Sequence, residues 1–171
     1  MKPALLLASA AALVAVAACN GGGETPPAND SAVNAVAGEA AGDHAAVMHE
    51  RHERYEEMGK AMKGISDQLK ADQPSLDAIQ RNAMLIADYA PRILTWFPAG
   101  SGPETGRETR AKAEIWTDQE RFGQAAARLI AASEEFKIIA GTGNIEAIRA
   151  AVPDLGAACK NCHDRFRAPE D

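Results

Sequence analysis

Apolar side chains recur at alternating steps of three and four along four stretches of this chain, with polar residues filling the positions between. The first stretch, 43–71, carries Tyr55, Met58, Met62, Ile65 and Leu69 on one face. The second, 75–97, carries Leu76, Ile79, Ala83, Ile86, Ala90, Ile93 and Phe97. The third, 106–140, spaces Ile115, Phe122, Leu129 and Phe136 one heptad apart, with small Ala125, Ala126 and Ala132 between them. The fourth, from Asn144 onward, carries Ile145, Ile148, Val152, Leu155, Cys159, Cys162 and Phe166. A narrow apolar seam of this period predicts an amphipathic helix packed in a bundle.

The interruptions agree with four helices. Gln73-Pro74-Ser75 separates the first two, with Ser75 or Asp72 available as a cap. A longer loop spans Pro98 to Pro103, Gly141-Thr142-Gly143 closes the third helix, and Asn144 can cap the fourth. Pro91 and Pro153 fall inside helical patterns, and each is expected to kink or split its helix. Short connections between amphipathic helices predict an all-α, antiparallel four-helix bundle, whose core is a usual place for a cofactor.

Composition narrows the partners. The chain is acidic, with 24 Asp+Glu against 18 Lys+Arg and no basic block, which argues against nucleic acid. Few aromatics and abundant alanine suit close-packed helices better than strands. Residues 20–42 run through Gly-Gly-Gly, Pro-Pro and small side chains, the composition of a spacer without fixed structure.

The amino terminus reads as an export signal covering residues 1–18. Met1-Lys2 gives a short positive start, and the apolar run from Ala4 to Ala18 is too short for a membrane span but suits a signal core. It ends Val16-Ala17-Ala18-Cys19, which resembles a bacterial lipobox cleaved just before Cys19. That resemblance implies an acylated, membrane-anchored Cys19 followed by a linker to residue 42 and a domain over 43–171. Plain secretion, with cleavage after Ala15-Val16-Ala17, is the alternative; it leaves a stray reactive thiol to explain. Either route places the mature protein outside the cytoplasm, in the periplasm or cell envelope.

Near the other end stands Cys159-Lys160-Asn161-Cys162-His163. In an exported chain this is the pattern of c-type haem attachment. Two thiols three positions apart lie on one helical face and can form thioethers with both vinyl groups of one haem. His163 then offers an imidazole to the iron as proximal ligand. A zinc site needs about four ligands. A thioredoxin-like pair belongs near a βαβ pattern, which this chain lacks, and an ordinary disulfide makes no use of the histidine. Cys159 and Cys162 fall on the fourth seam, so the haem is expected inside one end of the bundle.

The first seam contains one charged residue, Arg51, four positions before Tyr55. A cation in an apolar row is costly unless it is paired or reaches water. With haem nearby, a propionate is the expected partner.

Taken together, Arg51-x-x-x-Tyr55-x-x-Met58-Gly59-x-x-Met62-Lys63, Leu94-Thr95-Trp96-Phe97-Pro98-x-Gly100, Ala113-x-Ile115-Trp116 and the terminal Cys159-to-Arg167 run resemble the cytochrome c prime family over residues 43 to 168. The resemblance implies a four-helix bundle, often a homodimer through its first two helices. It also implies one covalent haem c with high-spin, five-coordinate iron that binds nitric oxide and carbon monoxide, with links to electron transfer. It carries over Cys159 and Cys162 as thioether donors, His163 as proximal ligand, Arg51 near a propionate and Arg167 near the proximal imidazole. There the Arg167 charge is expected to disfavour an imidazolate and weaken electron donation to iron. Pro153 stands where relatives commonly have glycine, and the lipobox and spacer are not typical of the family.

Low-spin relatives place a methionine four residues before the first-helix glycine, which here is Tyr55 before Gly59. A neutral phenol is a poor iron ligand but fills a pocket and offers a hydrogen bond. Met58 is retained as a candidate haem contact, although Met58 and Met62 at seam spacing also suit core packing. Of His44, His49 and His52, only His52 lies near the seam. The leading expectation is a non-enzymatic, tethered haem protein whose open iron binds small gases. The alternative is a six-coordinate electron carrier serving a redox partner protein. A peroxidase-like enzyme is disfavoured, since no acid–base pair stands out near the open side.

Overall fold

The computed structural model describes the backbone of residues 30–169 and the side chains of residues 44–169. Cys19, the signal segment and the first part of the spacer lie outside the described residues. Among the described residues the structure is helical, with α1 (Asp30–Lys70), α2 (Leu76–Tyr89), a short α3 (Glu114–Thr117), α4 (Gln119–Gly141) and α5 (Ile145–Phe166). Each of α1, α2, α4 and α5 runs antiparallel to the two it packs beside, and the order α1–α2–α4–α5 closes into a ring around one core. The core is built from the expected seams: Met58, Ile65 and Leu69; Ile79, Ala83 and Ile86; Phe122, Leu129 and Phe136; Ile148, Leu155 and Phe166.

Local chemistry sets the ends. Ser75 and Asn144 cap α2 and α5 as expected, accepting hydrogen bonds from the amides of Ala78 and Ala147. Gly143, at φ 71°, takes the left-handed conformation that turns the chain from α4 into α5.

Four expectations need correction. α1 begins at Asp30, so residues 30–42 are helical where a spacer was expected. The run from Ala32 is rich in alanine, the strongest helix former, and outweighs its two glycines. The second helix changes type at Pro91. Residues Ala90–Trp96 form a 3-10 helix, and burial there follows its period of three through Ala90, Ile93 and Trp96. Trp96 therefore enters the core where the α-helical period places Phe97, and Phe97 is only half-buried. The third helix starts near 114 and not at 106. Gly106 is left-handed at φ 67°, and Asp118, at φ −129° and ψ 57°, breaks α3 from α4 while capping the latter. Finally, α5 runs unbroken through Pro153.

The segment ahead of α3 has a separate use. Ala111 and Arg167 form an isolated antiparallel bridge. The Lys112 amide donates to the Phe166 carbonyl (3.0 Å) and the Ala168 amide to the Arg110 carbonyl (2.8 Å). This fixes the chain as it leaves α5, just beyond the Cys-x-x-Cys-His run.

Candidate haem site

The start of the packed part of α1, the end of the 3-10 segment, the start of α4 and the end of α5 meet at one end of the bundle. Cys159 and Cys162 are half-buried, free, and packed against the hydrophobic core. Burial raises the pKa of Cys159; burial and its neighbour Cys159 push Cys162 up to about 11. Both therefore stay neutral thiols at physiological pH.

His163, one position on, has its pKa lowered first by burial, then by the charges of Arg167 and Arg110, with Asp164 opposing. A neutral imidazole with a free lone pair is the form that ligates iron. The sign of the Arg167 effect differs from the sequence expectation. A nearby cation penalises imidazolium and favours loss of protons, so it does not disfavour an imidazolate. Arg110 was not foreseen. It reaches the site because the 111–167 bridge holds its loop beside the tail, where its Nε and Nη2 donate to the Ala168 carbonyl (3.1 and 3.0 Å).

On α1, Tyr55 faces the two thiols. Burial raises its pKa most, and the proximity of Cys162 and Cys159 adds to the rise while Arg51 opposes it. Its ring is held edge-on to Trp96 at 5.3 Å between centroids, and tilted against Phe97 at 6.3 Å.

Arg51 is 5 % exposed, which rules out the water-reaching arrangement. Its protein partners are neutral. Nη1 donates to the Trp96 carbonyl (3.2 Å) and Ser101 Oγ (3.1 Å), and Nη2 to the Ser101 carbonyl (3.0 Å). The guanidinium lies over Phe97, 4.6 Å from the ring centroid, with Trp116 at 5.9 Å. Burial lowers its pKa, offset by Tyr55 and Glu104. Arg51 thus ties α1 to the 96–101 turn that carries the aromatic wall. Ser101, fully buried and invisible to the periodicity, is the unforeseen member of this cluster.

Met58 is buried among core residues of α1. His52 faces solvent and pairs with Glu56 at 3.3 Å, so its expected place near the seam is corrected. His49 is exposed, and His44 packs against Gly100, whose φ of 78° turns the loop.

Two thiols on one helix face, an adjacent neutral imidazole, and an aromatic wall opposite form a donor set that fits a covalently attached haem. An antiparallel four-helix bundle with such a donor set at one end defines a c-type haem protein of the helical-bundle class. A family profile described as Cytochrome C' matches residues 46–167. This chain belongs to the cytochrome c' family, whose members are non-enzymatic, periplasmic haem proteins carrying one covalent haem c.

Among its relatives, cytochrome c' of Rhodopseudomonas palustris is 35% identical over 124 residues, 71% of this chain and 82% of that protein. Cytochrome c' of Rubrivivax gelatinosus is 37% identical over 86 residues; the match covers 50% of this chain and 65% of that protein. The crystal structure of cytochrome c' from Thermochromatium tepidum superposes with a TM-score of 0.66 at 28% identity, covering 72% of this chain and 95% of that one. The same fold is found at 23% identity in a nitric oxide complex (TM-score 0.65, covering 74% and 97%) and a carbon monoxide complex (0.63, 72% and 94%) of cytochrome c prime variants from Alcaligenes xylosoxidans.

Proposed function

We propose that this chain holds one haem c through thioethers from Cys159 and Cys162, with His163 as proximal ligand, and keeps the opposite side of the iron open to nitric oxide and carbon monoxide. The observation that carries the reading is Tyr55. It faces the two thiols in the place where a ligating methionine stands in low-spin relatives, and its phenol is a poor iron ligand. Its hydroxyl is a donor suited to a bound diatomic. The haem supplies the iron that binds the gas, and the protein supplies access and polarity. Arg51 has N–H groups beyond those committed to the turn, and these suit a haem propionate. Met58, enclosed in the core, suits packing against the porphyrin more than ligation.

Entry past Tyr55 requires its ring to leave the contact with Trp96, and such aromatic contacts are worth about 0.5–1.5 kcal/mol. Removing the ring is therefore expected to speed binding about three- to tenfold, at about 1.4 kcal/mol per decade. Flash photolysis of the ferrous carbon monoxide complex compares wild type with Tyr55→Ala; equal rates would remove Tyr55 from the entry path.

Two wider features complete the reading. Cys19 is proposed as a lipidated amino terminus, on the strength of the Val16-Ala17-Ala18-Cys19 run. Among the described residues no helix is long and apolar enough to cross a membrane. A homodimer through α1 and α2 is proposed from Met84, exposed on α2, with Leu85 and Tyr89 half-buried on that helix. One solved relative, 29% identical, is described as a cytochrome c' with ligand-controlled dimer dissociation.

A further inference from the structure

We infer that Tyr55, Trp96 and Tyr89 form an oxidation relay that carries an oxidising equivalent away from the haem, ending at Tyr89 with Glu57 as proton acceptor. The inference rests on the haem reading above and adds a radical site to it.

The geometry is a ladder of three oxidisable rings. Tyr55, beside the haem-bearing thiols, stands edge-on to Trp96 at 5.3 Å and 90°. Trp96, 3 % exposed in the core, stands edge-on to Tyr89 at 5.6 Å and 89°. Edge-to-face packing at these distances puts neighbouring rings in van der Waals contact. A second aromatic branch leaves Tyr55 through Phe97 toward Trp116. It is interrupted by a phenylalanine, whose ring is far harder to oxidise than phenol or indole.

The three rings differ in what they do with a positive charge. Tyr55 has no carboxylate hydrogen-bonded to its hydroxyl among the described residues, so nothing in the protein holds the oxidising equivalent there. Trp96 lies under the Arg54 guanidinium, 5.3 Å from its ring centroid, and that cation destabilises a cationic indole. Tyr89 alone donates its hydroxyl to a carboxylate, Glu57 Oε2, at 2.5 Å. A carboxylate within hydrogen-bond reach of the phenol is placed to take its proton. The same hydrogen bond raises the pKa of Tyr89, so the phenol keeps its proton until an electron leaves.

The oxidant is hydrogen peroxide, whose O–O bond breaks with uptake of two electrons and two solvent protons to give two waters. A ferrous haem held by Cys159, Cys162 and His163 would supply the first of these electrons, its iron passing to ferric. The second electron comes from Tyr89 by way of Trp96 and Tyr55. The phenolic proton moves to Glu57, leaving a neutral tyrosyl radical on the face that α1 and α2 would present to a second copy, and sparing the porphyrin.

The test adds hydrogen peroxide and a nitroso spin trap to ferrous, haem-loaded protein, at a dilution where sedimentation shows the monomer and with haem content first read from its absorption. Electron paramagnetic resonance and peptide mass spectrometry then locate the adduct. Wild type is expected to carry it on Tyr89. Trp96→Phe keeps an aromatic ring in the core; it should lower the Tyr89 adduct several-fold and hasten haem bleaching. Glu57→Gln, with the helix surface otherwise intact, should lower the adduct as well. An undiminished Tyr89 adduct in Trp96→Phe, or none on Tyr89 in fully loaded wild type, overturns the relay and leaves the haem reading standing. A colourless preparation overturns the haem reading and the relay with it.

Discussion

Replacing Arg51 by alanine should destabilise the bundle far more than its position on a single helix suggests. The substitution strips donors from two backbone carbonyls, Trp96 and Ser101, and from Ser101 Oγ, all in the buried turn between the 3-10 segment and α3. A buried acceptor left without a partner costs about 1–3 kcal/mol, and a cation over an aromatic face contributes about 0.5–2 kcal/mol. Loss of the desolvation cost that the buried guanidinium carries returns part of that sum. The net expectation is about 3 kcal/mol, which for a domain of this size lowers the thermal midpoint by about 10 °C. Arg51→Lys should fall between, since one ammonium cannot span both carbonyls. Circular dichroism melts of the haem-loaded proteins give the comparison. Arg92→Ala, which removes an exposed pair with Asp88, serves as a control expected to leave the midpoint unchanged. An Arg51→Ala midpoint within the scatter of wild type would refute the view that this side chain locks α1 to the aromatic turn.

Other outcomes follow from the same geometry. Tyr55→Met should let a sixth ligand reach the iron and turn the absorption spectrum low-spin; a spectrum that stays high-spin would place residue 55 away from the iron. Cys19→Ala should move the protein from the membrane to the soluble envelope fraction, and wild type found soluble would favour plain secretion. Sedimentation of the delipidated domain should show a dimer, and a monomer at micromolar concentration would sink the α1–α2 interface.

Helix faces were legible because burial in a bundle selects a period near 3.6 and little else. Ile65, Ile79, Phe136, Ile148 and Leu155 could be placed in the core from spacing alone. The Cys-x-x-Cys-His run was legible because its chemistry is local, two thiols and an imidazole within one turn and a half of α5. What escaped was non-local. Arg51 stands out in the first seam as a costly charge, but its carbonyl partners lie in a turn with no periodicity, and Ser101 carries no sequence signal. Arg110 reaches His163 only through the pairing of 110–112 with the tail, a bridge too short to leave an alternating pattern. Pro91 signals a break in the sequence, yet the change from a period of 3.6 to 3.0, which puts Trp96 in the core in place of Phe97, shows only in the backbone.

The open iron is tested most directly by the absorption spectrum of the purified ferrous protein before and after carbon monoxide. A haem held by Cys159, Cys162 and His163, with Tyr55 opposite, should give a high-spin spectrum that shifts fully on adding the gas. A low-spin ferrous spectrum that carbon monoxide leaves unchanged would contradict the account and identify an electron carrier with a filled sixth position.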